Sequence, residues 1–74
     1  MYQFNEFIAL DPEIRFGKPC LIGTRISVQD ILGWLAAGMS FEEIMEDYPE
    51  LNMEKIGAAL AFAAYRETRI KTVH

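Results

Sequence analysis

Few groups in this 74-residue chain could do chemistry. Cys20 is the single cysteine, and the only histidine that could serve as its base is His74, the last residue. A cysteine nucleophile needs its pKa depressed by a histidine, by cationic neighbours or by a helix N-terminus. Cys20 stands instead in the apolar run "PCLI" and reads as a small buried hydrophobe. Metal binding fails on the same count, because one cysteine and one terminal histidine fall short of the usual three or four zinc ligands. Glu42, Glu43, Glu46 and Asp47 could attract Mg²⁺ only if a cleft gathered them, and otherwise form a solvated helix face. The stretch Gly23-Thr24-Arg25 offers backbone N–H groups, a hydroxyl and a guanidinium, a set that could hold a phosphate or a partner's carboxylate. Its alternative is structural: Gly23 makes a turn and Arg25 pairs with a nearby carboxylate such as Asp30. These residues predict no enzyme, no metal and no cofactor, and leave binding as the function class.

The elements that would carry these residues are written in caps and periodicity. In "YQFNEFIAL", Tyr2, Phe4, Ile8 and Leu10 share one parity, which predicts a strand. Asp11-Pro12 and Gly17 turn the chain, and "PCLI" is a second strand, so residues 1–26 form a β-hairpin region. Ser27 precedes Val28, Ile31, Leu32 and Leu35, apolar at helical spacing, with Gly38 as the left-handed stop. Ser40 and Glu43 form a capping box for a short second helix ending near Tyr48-Pro49, with Met39 and Ile44 as its hydrophobic staple. Asn52 caps a third helix, with Leu51 and Ile56 as staple. The expected architecture is a single mainly α domain over 1–74: the hairpin region, a three-helix bundle of helix-turn-helix type over 27–68, and a tail over 69–74.

Composition narrows the partners. Apolar residues make up 51% and charged residues 24%, a globular mixture rather than a disordered one. A lone cysteine forms no internal disulfide, and no stretch approaches the ~20 apolar residues that span a bilayer. A cytoplasmic protein without membrane contact is expected. The net charge of −4 is unevenly laid out. Residues 26–54 hold seven acidic and no basic groups, whereas 55–74 hold one acidic and four basic. Weak nonspecific attraction to nucleic acid follows for the monomer, since that attraction comes from lysines and arginines displacing phosphate counterions.

Candidate binding residues fall into two sets. If the third helix read DNA, its N-terminal residues Asn52, Glu54 and Lys55 would approach base edges, with Lys18, Thr24 and Arg25 as further contacts to DNA or a partner. A protein partner would meet the acidic Glu42, Glu46 and Asp47, or the basic Arg66, Arg69 and Lys71 near the C-terminus. The alanine-rich "AALAFAA" reads as a close-packed core or dimer seam, with Ile56, Leu60 and Ala63 at helical spacing. Trp34, Phe41, Phe62 and Tyr65 exceed what so small a core absorbs, which leaves one or two for an interface.

The run D-P-x-I, G-K-P-x-[IL]-x-G-T-R-[IL]-x-V, G-x-S-x-E-E-I and Y-P-x-L, spread over residues 10–64, resembles the bacterial family called domain of unknown function 433. The resemblance implies a small helical fold, homeodomain-like or winged-helix-like, with an N-terminal hairpin. It also implies an antitoxin of a type II toxin-antitoxin pair. Such a protein neutralises a PIN-like ribonuclease toxin and, as a homodimer, binds its own operator DNA. The alternative is a stand-alone helix-turn-helix transcriptional regulator.

Overall fold

A computed structural model describes residues 6–70, with side chains described as far as Arg66. Five regular elements follow one another: β1 (Ile8–Ala9), β2 (Cys20–Leu21), α1 (Val28–Ala36), α2 (Phe41–Asp47) and α3 (Met53–Ile70), with a short 3-10 turn at Arg15–Gly17 between the strands. The mainly helical architecture with an antiparallel two-strand hairpin is the one the sequence predicts. Tyr2 and Phe4 of the expected first strand lie outside the described residues, and within the described residues the strand is Ile8–Ala9. Leu10 is exposed rather than turned into the core with Ile8.

The hairpin is held by more than its two-residue ladder, in which Ile8 pairs with Leu21 and Ala9 with Cys20. After β2 the chain turns through Leu21–Thr24, where Gly23 has φ +85° and the Thr24 N–H donates to the Leu21 carbonyl at 3.0 Å. A four-residue turn of this kind requires positive φ at its third position, which is why glycine stands there. The chain then runs back along β2. The Leu21 N–H donates to Ile26 O at 2.9 Å, the Val28 N–H donates to Pro19 O at 2.9 Å, and Ser27 bridges to Cys20. The stretch Pro19–Val28 is therefore a second small hairpin that ends at the cap of α1.

All three helix starts use side-chain caps. Ser27 accepts from the Asp30 N–H at 2.9 Å while the Asp30 carboxylate accepts from the Ser27 N–H at 3.1 Å, a complete capping box. Ser40 and Glu43 repeat the arrangement on α2. Asn52 Oδ1 accepts from the Lys55 N–H at 2.8 Å and caps α3. Helix α1 ends in a Schellman motif: Gly38, at φ +99°, donates to Leu35 O, and Met39 donates to Trp34 O.

Ile31, Ile44, Ile56, Ala58 and Ala59 are fully buried, with Leu21 and Leu51 nearly so. Four consecutive residues of α3, Ile56 to Ala59, are buried. At 100° per residue, such a run buries the helix nearly all round. Helix α3 is thus the central post on which α1 and α2 lean. The first alanines of the expected seam, Ala58 and Ala59, are absorbed within the chain, while Leu60 reaches the surface.

Candidate functional site

Two regions combine exposed chemistry with fixed geometry. The first is the turn before β2. Arg15, Phe16 and Gly17 have φ of +53°, +59° and +82°, three successive residues in the left-handed region. An L-residue held there costs roughly 1–2 kcal/mol, so something must hold it. Arg15 supplies part of the hold. Its Nη1 reaches back to donate to the Arg25 carbonyl at 2.8 Å and to Asp30 Oδ2 at 3.0 Å. Asp30 is thereby shared between the cap of α1 and the turn. Burial alone would raise its carboxyl pKa, but the Ser27 N–H, the Arg15 guanidinium and the Ser27 hydroxyl outweigh that and hold it below the ordinary value. Hydrogen bonding to Asp30 and its charge in turn raise Arg15 above its ordinary value. With the neighbouring arginine pinned, Phe16 projects into solvent at 99% exposure.

The second region is a groove of about 420 Å³ between α1 and the C-terminal half of α3, closed at one end by Lys18-Pro19. Val28 and Leu32, one helical turn apart on α1, form its floor with Phe62 and Ala63. Arg66 lies along the rim with its guanidinium carbon 5.5 Å from the centre of the Phe62 ring, a cation–π contact. The volume falls within the ~300–1,000 Å³ typical of binding pockets.

The structure distributes the expected site residues unevenly. Lys18 and Arg66, assigned to separate sets by sequence, line this one groove. The Thr24 hydroxyl is committed to the turn, donating to Leu21 O at 2.9 Å and accepting from the Ile26 N–H at 3.0 Å. Arg25 is exposed, and the pairing with Asp30 expected for it is made by Arg15 instead. Asn52 is the cap of α3, and the Lys55 ammonium donates to Glu50 O at 2.9 Å. Glu42, Glu46 and Asp47 are exposed on α2, while Glu43 is engaged in the capping box. The Arg69 side chain, Lys71 and His74 lie outside the described residues. Cys20 is buried and free, as its apolar surroundings in sequence implied.

Sequence reasoning passed over two features. Asp30 completes a Ser-x-x-Asp box with Ser27, a signal that was present in the sequence. Phe16 carried no such signal, because its exposure follows from backbone angles. Of the aromatics expected at an interface, Trp34 stacks on Tyr48 with ring centres 4.1 Å apart, and Phe41 is half-buried.

Comparison with known proteins follows from this geometry. The family model described as "Protein of unknown function (DUF433)" matches residues 8–63. The chain belongs to the DUF433 family. A crystal structure of a DUF433 member from Anabaena variabilis superposes with a TM-score of 0.81 at 24% identity, covering 89% of this chain and 65% of that one. It shares the fold. Among curated proteins, the uncharacterized protein y4eO of Sinorhizobium fredii is 40% identical over 59 residues, which is 80% of this chain and 27% of that protein. A Mycobacterium tuberculosis protein named "Putative antitoxin VapB45" is 39% identical over 41 residues, 55% of this chain and 17% of its own length. The chain thus spans about a quarter or less of the curated relatives it matches. Among the described residues no helix is long and apolar enough to cross a membrane.

Proposed function

We propose that this chain is a non-catalytic, antitoxin-like binding protein of the cytoplasm that neutralises a PIN-like ribonuclease toxin and acts as a homodimer. The observation that carries the reading is the 39% identity to a protein named as an antitoxin, within a shared family. The geometry agrees with it. The exposed chemistry consists of an apolar groove with cations on its rim, an exposed aromatic held on a pinned turn, and an acidic face on α2. Groups of this kind dock a protein partner, with aromatics and arginine as the usual anchors.

Operator binding and the stand-alone regulator draw less support. A recognition helix must lay one face in the major groove, and α3 is buried from Ile56 to Ala59. At its N-terminus Asn52 is occupied as a cap, Lys55 is tied to the Glu50 carbonyl, and Glu54 would face phosphate.

Co-expression with the product of the adjacent gene tests the proposal, scored by growth and by co-purification at physiological salt. Rescue of a toxic neighbour with a stable complex is the expected result. A harmless neighbour and no complex would overturn it.

A further inference from the structure

We infer that the groove between α1 and α3 receives an acidic amphipathic segment of a protein partner, its apolar side chains on Val28, Leu32, Phe62 and Ala63 and its carboxylates on Lys18 and Arg66. The inference deepens the antitoxin reading by naming the chemistry of the partner segment, and rests on it for the claim that the partner is a toxin.

Charge complementarity selects this occupant. The chain carries a net charge of −4, yet among the described residues none that lines the groove is acidic, and the two charged ones, Lys18 and Arg66, are cationic. Neither Lys18 nor Arg66 has an ion-pair partner among the described residues. The cation–π contact with Phe62 holds the Arg66 guanidinium at the groove, and its planar fork of N–H donors suits a carboxylate. Lys18 comes from the turn before β2 and Arg66 from α3, so the two charges approach the groove from different elements. An extended nucleic-acid backbone would use a run of cations and gain nothing from an apolar floor. An apolar helix or loop flanked by glutamate or aspartate satisfies both parts at once. A second groove of similar size, between α2 and α3, is lined among the described residues by Phe41, Met53, Gly57, Leu60 and Ala61, none of them charged, and nothing about it selects an occupant.

The test uses the full chain, ¹⁵N-labelled, and two synthetic helical peptides. Both carry leucines at i and i+4, and they differ only in flanking residues, glutamate in one and lysine in the other. The glutamate peptide should perturb the amides of Val28, Leu32, Phe62 and Arg66 and bind about tenfold tighter than the lysine peptide, as two exposed ion pairs allow. Lys18→Glu combined with Arg66→Glu should abolish or invert that preference. Lys18→Gln alone, at an exposed loop position, should halve the logarithm of the preference and guards against misfolding of the double variant. Equal binding of the two peptides, no binding, or perturbations centred on α2 would overturn the inference. The same variants in the co-expression assay separate the two claims. If the parent rescues and the double variant rescues equally, the groove assignment fails while the antitoxin reading stands. If the glutamate peptide binds as described and the parent does not rescue, the antitoxin reading fails and the groove assignment stands.

Discussion

Replacing Phe16 with glycine should stabilise this domain, although an aromatic residue is lost. At 99% exposure the Phe16 ring buries almost nothing, so its removal forfeits almost no burial free energy. What the substitution changes is the backbone. Phe16 sits at φ +59°, ψ +34°, where an L-residue pays roughly 1–2 kcal/mol that glycine does not. Glycine gives back about 0.5–1 kcal/mol through the greater freedom of its unfolded chain. The balance is a gain centred on about 0.75 kcal/mol, with extremes of about 0 and 1.5 kcal/mol, and for a domain of this size, at about 4–8 °C of Tm per kcal/mol, the central value is a rise of about 3–6 °C. Thermal melting followed by circular dichroism measures it, and urea titration with an unchanged m value shows that stability alone has moved. Phe16→Ala is the control, because alanine removes the ring and keeps the strained backbone, so its Tm should match the parent's. A Tm for the glycine variant below the parent's would refute the reasoning, since the ring would then have to be packed in the folded state. If the turn presents Phe16 to a partner, both variants should also weaken the complex.

Two further predictions rest on the caps. Asp30 is held below its ordinary carboxylate pKa in the fold, so between the folded and unfolded values the unfolded chain binds more protons, and stability there rises with pH. The contribution is complete above the unfolded value of about 3.9 and fades as pH falls through the lower folded value. Asp30→Asn should flatten that acid limb in urea titrations run from pH 6 to pH 2.5, and a limb as steep as the parent's would refute the assignment. Gly38→Ala places a Cβ at φ +99° in open space, so its cost is conformational, about 1–2 kcal/mol, read as a lower urea midpoint. An unchanged midpoint would show that the Schellman turn had relaxed.

Local rules carried much of this fold in the sequence. Ser27, Ser40 and Asn52 each stand one residue before a helix that begins as expected, because a cap is a contact between residues three apart and needs nothing from the rest of the chain. The apolar spacing of Val28, Ile31, Ile44 and Ile56 likewise placed the core. Among the described residues the first strand stops at Ala9 and leaves Leu10 exposed, because parity states which face a residue would take and is silent on whether a partner strand is there to meet it. The site was legible in fragments. Lys18 and Arg66 were both named as binding residues, but a groove formed by a turn and two helices has no signature along the chain.

The sequence by itself determined the caps, the glycine stops, the apolar faces and the family, since all are patterns within a few residues or along one chain. Tertiary structure alone decided that Arg15 rather than Arg25 meets Asp30, that three left-handed residues lift Phe16 into solvent, and that α3 is buried from Ile56 to Ala59 as the post of the bundle. It also brought Lys18 and Arg66 to one apolar groove. The physical reason is the range of the interactions. Each of these outcomes depends on the direction in which a turn delivers the chain, and a turn's dihedral angles settle which distant side chains meet.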